Sequence, residues 1–107
     1  MNKLASFIFI SLAISAVQAQ AQDAAAGRAK ADAACALCHG LNGIATMPSA
    51  PNLAGQAPLY TSEQLKNYRS GKRQHEVMGV IAKPLTDAEI ANLAAWYSTI
   101  KVTVEAP

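Results

Sequence analysis

The five residues Cys35-Ala36-Leu37-Cys38-His39 constrain this chain more than any other segment. The spacing C-x-x-C-H is the covalent attachment signature of a c-type haem. Two thiols three residues apart, one helical turn, reach the two vinyl groups on one side of a porphyrin and form thioethers. The histidine that follows is carried beneath the iron, where its imidazole nitrogen becomes the proximal axial ligand. Cys35, Cys38 and His39 are thus the candidate cofactor-binding residues, and one covalently attached haem c per chain is expected. The chain must then fold around a flat, largely apolar group.

Other uses of two closely spaced cysteines fit less well. A redox dithiol of the thioredoxin type needs a strand-helix-strand setting, and no segment reads that way. A zinc site needs a second ligand pair, and His75 is the only other histidine. A disulfide across a two-residue gap would be strained and would staple almost nothing.

The N-terminus has the layout of an export signal. Lys3 supplies the positive end, Leu4 to Val17 is almost wholly apolar, and small residues follow at Val17-Gln18-Ala19 and Ala19-Gln20-Ala21. The apolar run is too short to span a bilayer comfortably. Residues 1–19 are therefore expected to be a cleaved secretory signal, with cleavage after Ala21 as the alternative. An uncleaved anchor is the competing reading. Residues 20–107 are expected to be a single domain. In bacteria haem is attached outside the cytoplasmic membrane, so the expected compartment is the periplasm. Both cysteines are used by the haem, which leaves no disulfide.

About ninety residues then remain, near the lower limit for a self-sufficient core, and a covalent cofactor is one way to staple so small a scaffold. Losing Lys3 leaves eight basic against seven acidic residues. This near-neutral balance offers no argument for nucleic acid as a partner.

Three helices are legible, and no segment alternates well enough to be a strand. The first runs from about Ala24 to the attachment site, with Asp23 as N-cap and an alanine-rich body. Gly27 within it marks either a close helix crossing or a tolerated glycine. The second is expected to begin near Ser62, with Thr61 and Gln64 as a capping box and Gly71 as its stop. The third begins at Thr86-Asp87-Ala88-Glu89, another capping box, and carries Ile90, Leu93, Ala94, Tyr97 and Ile100 at helical spacing. Trp96 and Tyr97 read as packing residues. The stretch between His39 and the second helix is long, irregular and rich in Gly and Pro, and wrapping a cofactor is a job that would account for it. A second loop, Lys72 to Leu85, contains Met78 and Pro84.

In this order the parts resemble a class I cytochrome c over essentially the whole of Ala24 to Ile100. The quoted features are the first helix with Gly27, Cys35-Ala36-Leu37-Cys38-His39-Gly40, then Pro51-Asn52-Leu53-Ala54-Gly55-Gln56, Met78 in a loop, and the closing Ala94-Ala95-Trp96-Tyr97. The likeness is greatest to small bacterial monohaem carriers and to single halves of dihaem periplasmic cytochromes. The resemblance implies an all-α cytochrome c fold, three main helices plus long loops wrapped around the haem. It implies that Met78 is the distal axial ligand, since the family's methionine lies before the last helix. Met47 and His75 are the rivals. His75 stands among Lys72, Arg73, Gln74 and Glu76 and is expected to be solvent-exposed. The resemblance also implies that the Pro51 carbonyl accepts the other N–H of His39, fixing its tautomer.

The function so implied is periplasmic one-electron transfer, with His/Met ligation leaving no open position for substrate, and hence no catalytic residues. Partners would be redox proteins, a dehydrogenase or reductase as donor and an oxidase or other acceptor. The membrane would be met only through transient docking to membrane complexes. Lys66, Arg69, Lys72 and Arg73 form a basic cluster that reads either as a steering surface or, preferably, as a solvated helix face. One competing function is a haem subunit of a periplasmic flavoprotein or molybdenum dehydrogenase complex. Another is a sensor or peroxidase-like site from which Met78 departs.

Overall fold

The computed structural model describes residues 22–107. The expected signal segment, with both cleavage positions, lies outside the described residues. Five helices follow in order, α1 Ala24–Ala34, α2 Ala36–His39, α3 Pro58–Ser70, α4 Glu76–Ala82 and α5 Asp87–Thr99, and no strand occurs among the described residues.

Helix α1 forms where alanine dominates and where Asp23 caps the first turn, its carboxylate accepting from the N–H groups of Ala25 at 2.9 Å and Ala26 at 3.0 Å. Its inward face is made of Gly27 and Ala31, one turn apart and both buried. Such a small face lets another helix approach closely, and that helix is α5. A Cβ built on Gly27 would lie 1.9 Å from the Asn92 carbonyl oxygen and 3.0 Å from Trp96 Cβ. Gly27 is therefore a helix crossing, the first of its two sequence readings. Polar contacts frame the crossing: Asp23 N–H donates to Asn92 Oδ1 at 2.8 Å and Lys30 pairs with Glu89 at 2.9 Å. The Arg28 guanidinium lies 5.3 Å from the centroid of the Trp96 ring.

Helix α5 is the strut of the molecule. Its Ile90, Leu93, Ala94 and Tyr97 are buried, and Ile90, Leu93 and Tyr97 meet Ala31 of α1, Ala82 of α4 and Leu85 in one core. Leu65 and Tyr68 of α3 pack at its edge. Thr86 supplies the capping box expected from sequence. Its hydroxyl accepts from Glu89 N–H at 3.1 Å, and Glu89 Oε2 accepts from Thr86 N–H at 2.9 Å. Thr86→Ala is expected to cost about 1 kcal/mol, read as a fall of roughly 4–8 °C in the thermal midpoint of a domain this size.

Two expectations are corrected. Helix α3 begins at Pro58, a turn before Ser62, with Ala57 as an N-cap that has no side-chain bond. Proline suits the first helical turn because its missing N–H would have had no partner there. Thr61 is consequently inside the helix, its hydroxyl turned back to the Ala57 carbonyl at 3.4 Å, and Gln64 receives Arg73 Nη1 at 3.0 Å, so no capping box exists at that place. Gly71 does end the helix, at φ 82° in the left-handed region. The second correction concerns Lys72 to Leu85, which is not simply a loop: its middle is α4. Val77, Gly79, Val80 and Ile81 are indifferent or poor helix formers, which hid the element from a propensity reading. Tertiary burial of Ala82, fully enclosed, and of Leu85 outweighs that preference.

Candidate functional site

The attachment pentapeptide occupies the bend between α1 and α2. Cys35 ends α1 by donating its N–H to the Ala31 carbonyl at 2.8 Å, and its own carbonyl accepts from His39 N–H at 3.0 Å. One helical turn thus carries Cys35, Cys38 and His39. Gly40 then reverses the chain at φ 77°, where a Cβ would lie 1.9 Å from the Ile44 carbonyl oxygen. The long Gly- and Pro-rich segment beyond it is held at several points. Thr46 N–H and its hydroxyl bind the Cys38 and Leu37 carbonyls at 3.1 and 3.0 Å. Leu53 N–H donates to the Gly43 carbonyl at 2.7 Å, and Gly55 N–H to the Tyr97 carbonyl at 2.9 Å. These bonds explain how so long a segment without helix keeps a definite course.

That course brings Pro51 to His39. The imidazole is buried, and its Nδ1 donates to the Pro51 carbonyl at 2.8 Å. A hydrogen on Nδ1 leaves Nε2 as the ring's lone-pair donor, a neutral tautomer suited to a metal. Both thiols are free. Burial pushes the Cys35 thiol up, against a smaller opposing pull from the Tyr97 hydroxyl and from Lys30, so it stays protonated at neutral pH. A buried neutral thiol is a poor redox nucleophile. Among the described residues no group of three or more His, Cys, Asp or Glu side chains is placed to hold a metal ion by itself.

Met78 lies half-buried in the first turn of α4. Helix α4 packs on α3 while α2 packs on α1, and α5 touches both α1 and α3. His39 and Met78 therefore stand on separate limbs joined through α5. Met47 is more open, at 44 % exposure. His75 is exposed, as its polar neighbours suggested, and it has a local task that the sequence reading missed. Its Nδ1 accepts from the N–H groups of both Val77 and Met78 at 3.2 Å, capping α4. The ring also meets Tyr68 edge to face, with centroids 6.4 Å apart.

Two members of the basic cluster are tied to neighbouring side chains. Arg69 donates to the Leu85 carbonyl at 2.9 Å and to Asp87 at 2.6 Å, holding the Asp87 carboxyl below the usual carboxylate range. Arg73 stacks over Tyr68 at 4.7 Å. Lys66, Lys72 and Arg73 are exposed and Arg69 is half-buried, which fits a solvated helix face.

Three observations test whether these residues suit a haem. The donor set is two thiols and an imidazole on one turn, matched to two vinyl groups and an iron. Large apolar side chains are exposed beside and beyond the motif, with Leu37 at 86 %, Leu41 at 67 % and Val77 at 53 %. The Tyr97 hydroxyl is buried without a hydrogen-bond partner although it faces the Cys35 thiol. An orphaned buried hydroxyl costs about 1–3 kcal/mol, and proteins keep few of them without a use. The residues fit. Sequence reasoning treated Tyr97 as packing alone, and the missed signal was a hydroxyl on the core face of an amphipathic helix.

Comparison with known proteins agrees. The family model described as Cytochrome c matches residues 24–101. The chain is similar to cytochrome c4 of Pseudomonas aeruginosa, 38% identical over 104 residues that span 97% of this chain and 51% of that one. It is also similar to cytochrome c-554(548) of Halomonas halodenitrificans, 42% identical over 82 residues, covering 74% of this chain and 98% of that protein. Among solved structures, reduced recombinant cytochrome c4 from Pseudomonas stutzeri superposes with a TM-score of 0.70 at 33% identity, over 78% of this chain and 48% of that one. The chain thus spans about half the length of its cytochrome c4 relatives.

Proposed function

The chain belongs to the cytochrome c family, with that family's all-α fold and covalent haem c, and on this premise we propose that it is a periplasmic one-electron carrier. The observation that carries the reading is the C-x-x-C-H turn with its histidine already oriented, Nδ1 bound to Pro51 and Nε2 left over for a metal. Residues 1–19, or 1–21, serve as the export signal, and 20–107 form one haem domain.

Cys35 and Cys38 would hold the haem through thioethers, and His39 would ligate its iron. The Pro51 carbonyl fixes the His39 tautomer and raises its basicity. Met78 would supply the second protein ligand, a soft neutral donor that favours the reduced iron. His75 is occupied in capping α4 and does not compete. When bound, the haem supplies a single-electron Fe(III)/Fe(II) couple. With His39 and Met78 both holding the iron, the protein would have no place for substrate, and its partners would be other redox proteins, a donor dehydrogenase or reductase and an acceptor such as an oxidase. None of the helices described is long and apolar enough to cross a membrane, and membrane complexes are met by docking.

The test is the mass of the exported protein after maturation in a host that attaches haem. The expected value is the chain without its signal plus one haem, and Cys38→Ala should lower the yield of doubly attached product to nothing. A wild-type mass equal to the bare polypeptide would sink the proposal.

A further inference from the structure

Tyr97 is held more firmly than packing alone requires. Its side chain is 2 % exposed. A Cβ built on Gly43 would lie 3.0 Å from its Cδ1, so that glycine leaves room for the ring, and its carbonyl receives Gly55 N–H at 2.9 Å. With its ring gripped by the loop that follows the attachment site, the hydroxyl has little freedom to turn elsewhere. It faces Cys35, which packs against the same core cluster, and finds no acceptor of proper geometry among the described residues.

We propose that in the haem-loaded protein the Tyr97 hydroxyl donates a hydrogen bond to the Cys35 sulfur, positioning this thioether limb and raising the reduction potential. The inference rests on Cys35 being a haem thioether. A free thiol is a weak donor as well as a weak acceptor, so two hydrogens compete for one contact. Addition of the thiol to a vinyl group breaks S–H, forms S–C and moves the hydrogen to the other vinyl carbon, with no net oxidation. The sulfur is then an acceptor only, and Tyr97 is left as the donor. Burial, with the Cys35 sulfur beside it, pushes the phenol up, so it stays a neutral donor across the working pH range. A hydroxyl dipole aimed with its hydrogen toward the cofactor disfavours the extra positive charge of the oxidised state. In a low-dielectric interior that effect is little screened.

Tyr97→Phe removes one oxygen and keeps the ring. Its matured holoprotein should carry one haem by mass and show a reduction equilibrium shifted about threefold toward the oxidised form. At 59 mV per decade for one electron this is a fall of about 28 mV. A potential equal to the wild type's overturns the inference. If the variant does not accumulate, the wild type itself decides. Its reduced, diamagnetic form should show a slowly exchanging hydroxyl proton with a nuclear Overhauser contact to the Cys35 β-protons. A Tyr97 hydroxyl proton without that contact overturns the proposal. A wild type lacking haem would instead overturn the carrier reading, so the two failures are distinct.

Discussion

Replacing Gly27 with alanine is expected to lower the melting midpoint of the holoprotein by on the order of 10–20 °C. The added Cβ would stand 1.9 Å from the Asn92 carbonyl oxygen and 2.5 Å from the Asn92 carbonyl carbon. Both are backbone atoms in the middle of α5, so no side chain can turn aside to make room. The helices must move apart instead. Overpacking of this kind costs about 1–3 kcal/mol and sometimes more, while alanine returns up to about 1 kcal/mol of helix propensity. The steric cost wins because separation also loosens Asp23 N–H from Asn92 Oδ1 and Lys30 from Glu89, and uncovers Ala31 against the core. At roughly 4–8 °C per kcal/mol for a small domain, a net loss near 2–3 kcal/mol gives the stated shift. Thermal melting followed by far-ultraviolet circular dichroism measures it. A midpoint within a few degrees of wild type would mean that α1 and α5 do not approach as closely as these atoms require.

Met78→Ala should leave the thioether attachment intact and change the iron. The weak red sulfur-to-iron charge-transfer band of the oxidised protein should vanish. Carbon monoxide should bind the reduced form, and the potential should fall by on the order of 100 mV, a modest part of the roughly 0.8 V that axial ligands span. The physical reason is the loss of a soft neutral donor that stabilises Fe(II) over Fe(III). A band that survives the substitution would transfer the role to Met47. No band in either protein would point to His75, which would then have to give up its cap on α4, or to an open site, and carbon monoxide binding to the reduced wild type would tell the two apart. Overall stability is a less discriminating readout, because methionine also fills space and its truncation alone costs about 2–5 kcal/mol when buried.

Local chemistry made some features readable from the chain and left others hidden. Capping is local. Asp23, Thr86 with Glu89, and Gly71 each act within a turn of their own position, and all three stand where their spacing put them. The same logic misplaced the start of α3, because Thr61 with Gln64 has the letters of a capping box while Pro58, three residues earlier, had already begun the helix. Helix α4 was hidden for a different reason. Its residues are middling helix formers, and what holds them is burial of Ala82 and Leu85 against residues of α5, distant information for any short window. The role of His75 as the cap of α4 was invisible until α4 itself was seen.

The candidate site divides along the same line. Attachment chemistry is a matter of spacing along one turn, and so five consecutive letters single out Cys35, Cys38 and His39 as the candidate haem-binding residues. Whether Gly27 was a crossing or an accident depended on Asn92, sixty-five positions away. The bond from His39 to the Pro51 carbonyl was implied by resemblance alone until the folded chain brought the two together, and the turning of an orphaned Tyr97 hydroxyl toward Cys35 needed the folded chain outright. Covalent geometry and hydrogen bonding within a turn act at short range, so sequence encodes them openly. Close packing and the pairing of buried polar groups depend on which distant segments meet, and only the tertiary structure decides that.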